Sequence, residues 1–324
     1  MGRILTVDEV ARLQRLTANA VRDRCARGVY PGAYRDGKRW AIPEEDLPEA
    51  IRTRRPTRPE ERRIIAVVNQ KGGVAKTITA INLSCALSRL DHRVLLVDLD
   101  GQANSTTGLG VDKHDLELTV ANVLTDRPVP LSSIVLPLEE DGNSYLAPSN
   151  IRLQRIERDL IGRPFSHARL SRSLAEYREP VDFVIIDCPP SLGVLFVNAI
   201  YAATDLLVVI AADYFSLEGV TDLLDVVEEM QKETRHAPRM HVLLTKYDAR
   251  TNVSQEAERL VRAHFPQELC HTLIRVNSKL AEATGVGKSI FAYMPSSRGA
   301  KDYMRLAKEV VEWPVPASLA IETH

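Results

Sequence analysis

Long hydrophobic runs are missing from these 324 residues, although 44% of them are apolar. A membrane-spanning helix needs about 20 consecutive apolar residues. No stretch approaches that length, and the N-terminus lacks the apolar core of a secretory signal, so the expected location is the cytoplasm. Cysteine is scarce as well. Cys25, Cys85, Cys188 and Cys270 lie far apart with no C-x-x-C pair, which argues against a disulfide framework or a zinc site and leaves reduced, partly core thiols. Net charge is nearly absent at −1, yet its distribution is uneven. Residues 1–63 carry 15 Lys and Arg against 10 Asp and Glu, and the remainder carries 27 against 33. A basic front end on an acidic body fits a front end that meets a polyanion.

The length suits more than one domain, or one large α/β domain with an appendage. The chain is organised around Val68-Asn69-Gln70-Lys71-Gly72-Gly73-Val74-Ala75-Lys76-Thr77, which joins an apolar run, Ile64 to Val68, to a helix-like segment, Ile78 to Leu90. A buried strand that opens through a glycine-containing loop onto a helix N-terminus aims backbone N–H groups and the positive end of the helix dipole at one point, as a phosphate requires. Lys76 and Thr77 fit the P-loop rule G-x-x-x-x-G-K-[ST], whereas Gln70 and Ala75 stand where the rule has glycines. Two more apolar runs end in acids: Arg93 to Asp100, and Phe183 to Asp187 followed by Cys188-Pro189-Pro190. Runs without polar alternation indicate strands buried on both faces. With Leu206–Ala211 and His241–Thr245, each followed by a helical pattern, they predict an α/β fold with a doubly wound, mostly parallel sheet. In such sheets ligands sit at the C-terminal ends of the strands, where these acids emerge.

The wording Lys-Gly-Gly-x-x-Lys-Thr resembles the deviant Walker A motif of the ParA/MinD ATPases, Asp98-Leu99-Asp100 resembles the Asp-x-Asp-Pro-Gln element of ParA proteins, and Ile185-Ile186-Asp187-x-Pro-Pro is again similar to ParA wording. The resemblance spans about residues 62–312. It implies a P-loop NTPase binding ATP or ADP and Mg²⁺ through Lys71, Gly72, Gly73, Val74, Ala75, Lys76, Thr77 and Ile78. Lys71, Lys76 and Asp100 are the implied catalytic residues: Lys71 reaches the partner's nucleotide across a homodimer, and Asp100 orients the attacking water. Thr77 is implied on the metal directly and Asp187 through a water. Gly101 replaces the family's usual proline. Alanine at position 75 costs about 1–2 kcal/mol if the loop needs a positive φ there.

Helix signals also mark the N-terminal segment. Thr6 and Glu9 make a capping box before a helix from about Val7 to Gln14, and Thr17 stands before a second, Ala18 to Arg27, ended by Gly28. Tyr34 to Ile42 alternates around Asp36-Gly37 as a tight hairpin does. This outline resembles the winged helix-turn-helix of MerR and excisionase-like DNA-binding domains. It implies base and phosphate contacts by Asn19, Arg22 and Arg27, with Arg15 as a further option, and wing contacts by Lys38 and Arg39. The expected domains are 1–50 for this module, 51–62 as a basic linker, 63–313 for the ATPase and 314–324 as a tail.

Together the resemblances imply a DNA partition ATPase. Its ATP-bound dimer binds DNA, with Arg250, Arg275 and Lys279 as candidates for a nonspecific surface, and a ParB-like centromere-binding protein stimulates hydrolysis. Autorepression of its operon and a nucleoid-associated location go with this reading. The alternative is a transcription regulator gated by ATP with little hydrolysis. A nitrogenase-type iron protein would need cluster-bridging cysteines, and Cys188 reads instead as a packed residue beside the Mg²⁺ site. Pro314 to His324 contains no Lys or Arg, so the basic amphipathic helix with which MinD-type relatives bind membranes is not expected.

Overall fold

The computed structural model describes residues 4–14, 18–37, 39–47, 62–138, 143–213, 220–234 and 236–314. The chain divides into two compact units, Met1–Pro56 and Thr57–His324. In the first, β1 (Ile4–Thr6) leads into α1 (Val7–Gln14), then α2 (Ala18–Ala26), β2 (Tyr34–Asp36) and β3 (Arg39–Pro43). The capping box forms: Thr6 N donates to Glu9 Oε2 at 2.8 Å and Glu9 N to Thr6 Oγ1 at 3.2 Å. Gly28, at φ 72°, closes α2, with Val29 N donating to Arg24 O at 3.0 Å. Val21 and Cys25 are buried with Val10, Tyr30 and Ile42 in the unit's own core. β1, too short to show alternation, adds a third antiparallel strand to the hairpin in the order β1-β3-β2. Lys38, Arg15, the linker residues 51–61 and the tail 315–324 lie outside the described residues.

The second unit alternates strands and helices. β4 (Arg63–Val68) opens into α3 (Lys76–Arg89), and β5 (Val94–Asp98) into α4 (Asn104–Gly108) and α5 (Val120–Val123). β6 (Leu136–Pro137) and β7 (Ser144–Ala147) precede α6 (Arg152–Leu160) and α7 (Arg169–Glu176). β8 (Phe183–Asp187) leads to α8 (Val194–Ala202), β9 (Asp205–Ala211) to α9 (Val220–Thr234), and β10 (Arg239–Thr245) to α10 (Asn252–His264). The short helices α11 (Ser278–Gly285) and α12 (Ile290–Tyr293) come before α13 (Arg298–Glu312). The sheet order is β10-β9-β4-β8-β5-β7-β6, parallel throughout except for β6 against β7.

Because β4 is buried on both faces, its residues serve two cores. Ile65 and Val67 pack with Leu83 and Leu87 of α3 and with Tyr303 and Leu306 of α13. Ala66 and Val68 pack on the other face with Phe196 and Ala199 of α8 and Leu153 of α6. This is why the strand reads as an uninterrupted apolar run. Its C-terminal end, flanked by β8 and β9, opens toward the loop that precedes α3.

Of the basic linker expected over residues 51–62, only Arg62 lies among the described residues, next to Arg63 at the start of β4. Arg62 is buried: its guanidinium donates to Leu174 O (3.1 Å) and Glu179 O (2.7 Å) and lies over the Tyr177 ring. Arg63 donates to Val310 O, Trp313 O and Pro314 O at 3.1, 3.0 and 2.6 Å, tying the start of β4 to the end of α13. Asp205 stands 3.8 Å away as its counterion. Composition could not separate these clamps from solvated arginines. Arg63→Ala removes the guanidinium from Trp313 O and one partner each from Val310 O, Pro314 O and the buried Asp205, which keep Trp313 N, Arg239 and the Thr204 and His241 side chains, and is expected to lower stability to urea by about 2 kcal/mol. A loss below about 1 kcal/mol would show that the clamp is dispensable.

Candidate functional site

The loop between β4 and α3 is fixed from below by side chains of neighbouring strands. Asn69 donates from Nδ2 to Val209 O of β9 (2.7 Å) and accepts from Lys71 N (2.8 Å), while Thr245 Oγ1 of β10 donates to Val74 O (2.9 Å). Gly73 and Ala75 both adopt left-handed backbone, φ 74° and 76°, and Ala75 is the residue on which α3 begins. The strain expected for alanine at this position is therefore present in the loop. Lys76 is buried, and its Nζ donates to Lys71 O at 3.1 Å. Burial pulls its pKa down, with Asp187 opposing.

Above the loop lies a cavity of about 1380 Å³. Its walls include Gly72, Gly73, Ala75, Lys76, Thr77, Ile78 and Asp100, so most of the expected nucleotide-binding residues meet in one place. Two do not line it. Val74 is buried beneath the loop, and Lys71 turns aside to place its Nζ 3.1 Å from both carboxylate oxygens of Asp213. A smaller cavity of about 250 Å³ shares Ala75, Ile78, Lys246 and Ala281 with the first and is otherwise walled largely by Ile274, Val276, Leu280 and Tyr303.

The two acid-tipped strands deliver their carboxylates to the same edge. Asp98 and Asp187 stand opposite each other in register on β5 and β8, both fully buried. Burial pushes both pKa values upward, and for Asp98 the neighbouring Asp187 adds to the rise. Donors restrain it. Asp98 accepts from Thr106 N (2.8 Å), Thr106 Oγ1 (2.7 Å) and Asp100 N (3.2 Å). Asp187 Oδ2 accepts from Ser105 Oγ at 2.8 Å, and the Thr77 hydroxyl also favours its ionised form. Asp187 Oδ1, by contrast, is buried with no hydrogen-bond partner among the described residues. A lone carboxylate oxygen beside a threonine hydroxyl is a hard oxygen pair that suits a divalent cation such as Mg²⁺. Among the described residues no group of three or more His, Cys, Asp and Glu is arranged to hold a metal by itself, and all four cysteines are buried and in no disulfide.

Several residues of this site carried no sequence signal. Gln154, Glu157 and Arg158 of α6 and Ala281, Thr284 and Gly285 of α11 line the large cavity. Burial raises the Glu157 pKa, and nearby Asp100 raises it further. Of the other expected cations, Arg275 lines the smaller cavity, whereas Arg250 and Lys279 line neither. Arg22 donates to Asn19 Oδ1 (2.7 Å) on α2, and Arg27 pairs with Asp23 at 3.0 Å. Arg39 is exposed on β3. On the body, Arg250 grips Asp248, Arg275 grips Asp302, and Lys279 pairs with Glu282 at 2.7 Å.

Comparison with known proteins agrees with this geometry. The AAA domain family matches residues 62–240. The chain is 41% identical over 249 residues to the sporulation initiation inhibitor protein Soj of Bacillus subtilis, covering 76% of this chain and 98% of that one. The chain belongs to the ParA/MinD type of ATPase. The chromosome-partitioning ATPase Soj of Thermus thermophilus is 42% identical over 252 residues, covering 77% of this chain and 95% of its own. Among solved structures, the cobyrinic acid a,c-diamide synthase of Mycobacterium smegmatis with bound ADP and magnesium superposes with a TM-score of 0.67 at 33% identity, covering 77% of this chain and 94% of that one. Members of this type share the strand-loop-helix cradle, so a residue that strains it should be measurable. Ala75→Gly is expected to raise stability to denaturant by about 0.5–1 kcal/mol, the relieved φ strain less the extra backbone entropy of glycine. A loss of stability would show that Ala75 is at ease in its conformation.

Proposed function

We propose that this protein is an ATP-dependent DNA partition ATPase whose nucleotide state controls its dimerisation. The observation that carries the proposal is the convergence of Lys76, Thr77 and Asp100 on one cavity, with the orphaned Asp187 oxygen buried beside Thr77 and Lys76, above a loop that leads into the N-terminus of α3. Lys76 would neutralise the outer phosphates, and the loop amides would hold the phosphate chain. Thr77 and, through a water, Asp187 would hold Mg²⁺, which supplies charge neutralisation at the phosphates when bound. Asp100 would orient the attacking water, with positioning rather than covalent chemistry carrying the reaction. The smaller apolar cavity, continuous with the first through Ala75 and Ile78, suits the purine base.

Lys71 completes the deviant Walker A wording, and its hold on Asp213 defines what dimerisation must exchange: an ion pair within one chain for a phosphate in the partner. Hydrolysis would remove that phosphate and release the pair. DNA would be read by Asn19, Arg22, Arg27 and Arg39, with Lys38 on the same hairpin. Arg250, Arg275 and Lys279 would join a nonspecific surface only by giving up their acidic partners, which makes them weaker contributors than their charge suggests. A ParB-like partner would stimulate hydrolysis, and the protein would act in the cytoplasm on nucleoid DNA. Among the described residues no helix is long and apolar enough to cross a membrane.

The strained Ala75 favours a second reading, a transcription regulator that binds ATP and hardly hydrolyses it. Single-turnover hydrolysis separates the two: Asp100→Ala is expected to lower the rate on the order of 100-fold, whereas equal, negligible rates for both proteins leave the regulator. Sedimentation with no nucleotide, ADP and ATP should show a dimer with ATP alone, lost in Lys71→Ala. DNA affinity should fall steeply with salt. A monomer under all three conditions would overturn the switch.

A further inference from the structure

Gly101, which directly follows Asp100, is buried against α6. A Cβ built on it would lie 2.6 Å from Gln154 Cγ and 3.3 Å from Gln154 N. Real Cβ atoms do not approach other atoms to 2.6 Å, and Cγ sits too near the helix backbone to swing clear cheaply. Gly101 does not adopt a left-handed backbone, so what opposes a Cβ there is contact with Gln154, chiefly its side chain. Proline carries the same Cβ, which gives a local reason for glycine where the family usually has proline.

We propose that Gln154 is a positioning residue for Asp100, its side chain locking into the notch left at Gly101 and holding the Asp100 loop against α6. The inference rests on the reading of Asp100 as the group that orients water. Three features agree with it. Asp100 and Gln154 line the same cavity as Lys76 and Thr77. The loop is anchored on its inner side, where Asp98 accepts from Asp100 N and Thr106 N, so Gln154 provides the outer wall. One turn along α6, Glu157 packs in the same way beside the loop after β8, where a Cβ at Gly193 would meet Glu157 Oε1 at 2.6 Å. A single helix thus backs both loops that follow the acid-tipped strands.

The test is a double-mutant cycle of kcat and KM for ATP with wild type, Gln154→Ala, Gly101→Ala and the two combined, with Asp100→Ala as reference. Gln154→Ala is expected to lower kcat about 5-fold with KM changed less than 2-fold, because the loop loses its wall while the phosphate cradle is untouched. Gly101→Ala should lower kcat at least 10-fold in the wild-type background. In Gln154→Ala it should cost at most about 3-fold, since the obstructing Cγ is gone and only the 3.3 Å contact with Gln154 N remains. Equal cost in both backgrounds would overturn the interlock, and an unchanged kcat in Gln154→Ala would overturn the positioning role. If Asp100→Ala turns over like wild type, the reading of Asp100 fails and this inference with it. Thermal melting of each variant without nucleotide separates a misfolded protein from a misplaced loop: a kcat loss with an unshifted midpoint supports positioning, and a kcat loss that tracks a lowered midpoint overturns it.

Discussion

Two carboxylates held side by side out of water are costly unless donors or cations meet them. Asp98 and Asp187 are in that position at the tips of adjacent strands, and the surrounding site can be understood as the response. The loop after β5 doubles back so that Thr106 and the amide of Asp100 reach Asp98, which fixes the course of the chain from residue 99 to 106. Ser105 from the same loop reaches Asp187, and Lys76 stands close enough to favour its charge. The remaining Asp187 oxygen keeps no partner among the described residues, and it is the one that the proposal gives to a cation. On that reading, folding energy and cation binding are drawn from one set of groups. Asp100 takes its place because its own amide is part of that set.

The places of β4, Asp100 and Asp187 were legible because strands buried on both faces must be apolar throughout, so acids at their ends stand out. Lys76 and Thr77 were legible for another reason, their spacing after a glycine-containing loop. The contacts that complete the site were illegible because they join distant segments. Lys71 and Asp213 are 142 residues apart, and nothing local in either announces the other. The exposed arginines of α6 hid the residues of the same helix that face inward, and the glycine at 101 showed only that a family residue was missing. The sheet edge is equally quiet in the sequence: a 3₁₀ turn over Leu131–Ser133 precedes Leu136–Pro137, a two-residue segment too short for any periodicity, which pairs with β7.

The N-terminal unit was legible for a different reason, since its signals are all short in range. A cap three residues from its partner, a glycine with positive φ after a helix and a two-residue hairpin loop each act within one turn of chain. Such signals place helices and a hairpin without fixing what they bind. The pairing of Arg22 with Asn19 and of Arg27 with Asp23 shows the side chains already sharing their polar atoms within α2. Any contact with a polyanion begins by displacing these neighbours.

Arg63 brings the first residue of β4 and the carbonyls that end α13 to one spot, and Arg239 reaches Pro314 there as well. That spot is the amino-terminal rim of the parallel sheet, a full strand length from the rim where the phosphate loop opens, roughly 20 Å for six residues. The two described ends of this unit, Arg62 and Pro314, therefore share one rim, and the strand that feeds the loop is tethered at its far end to the last helix.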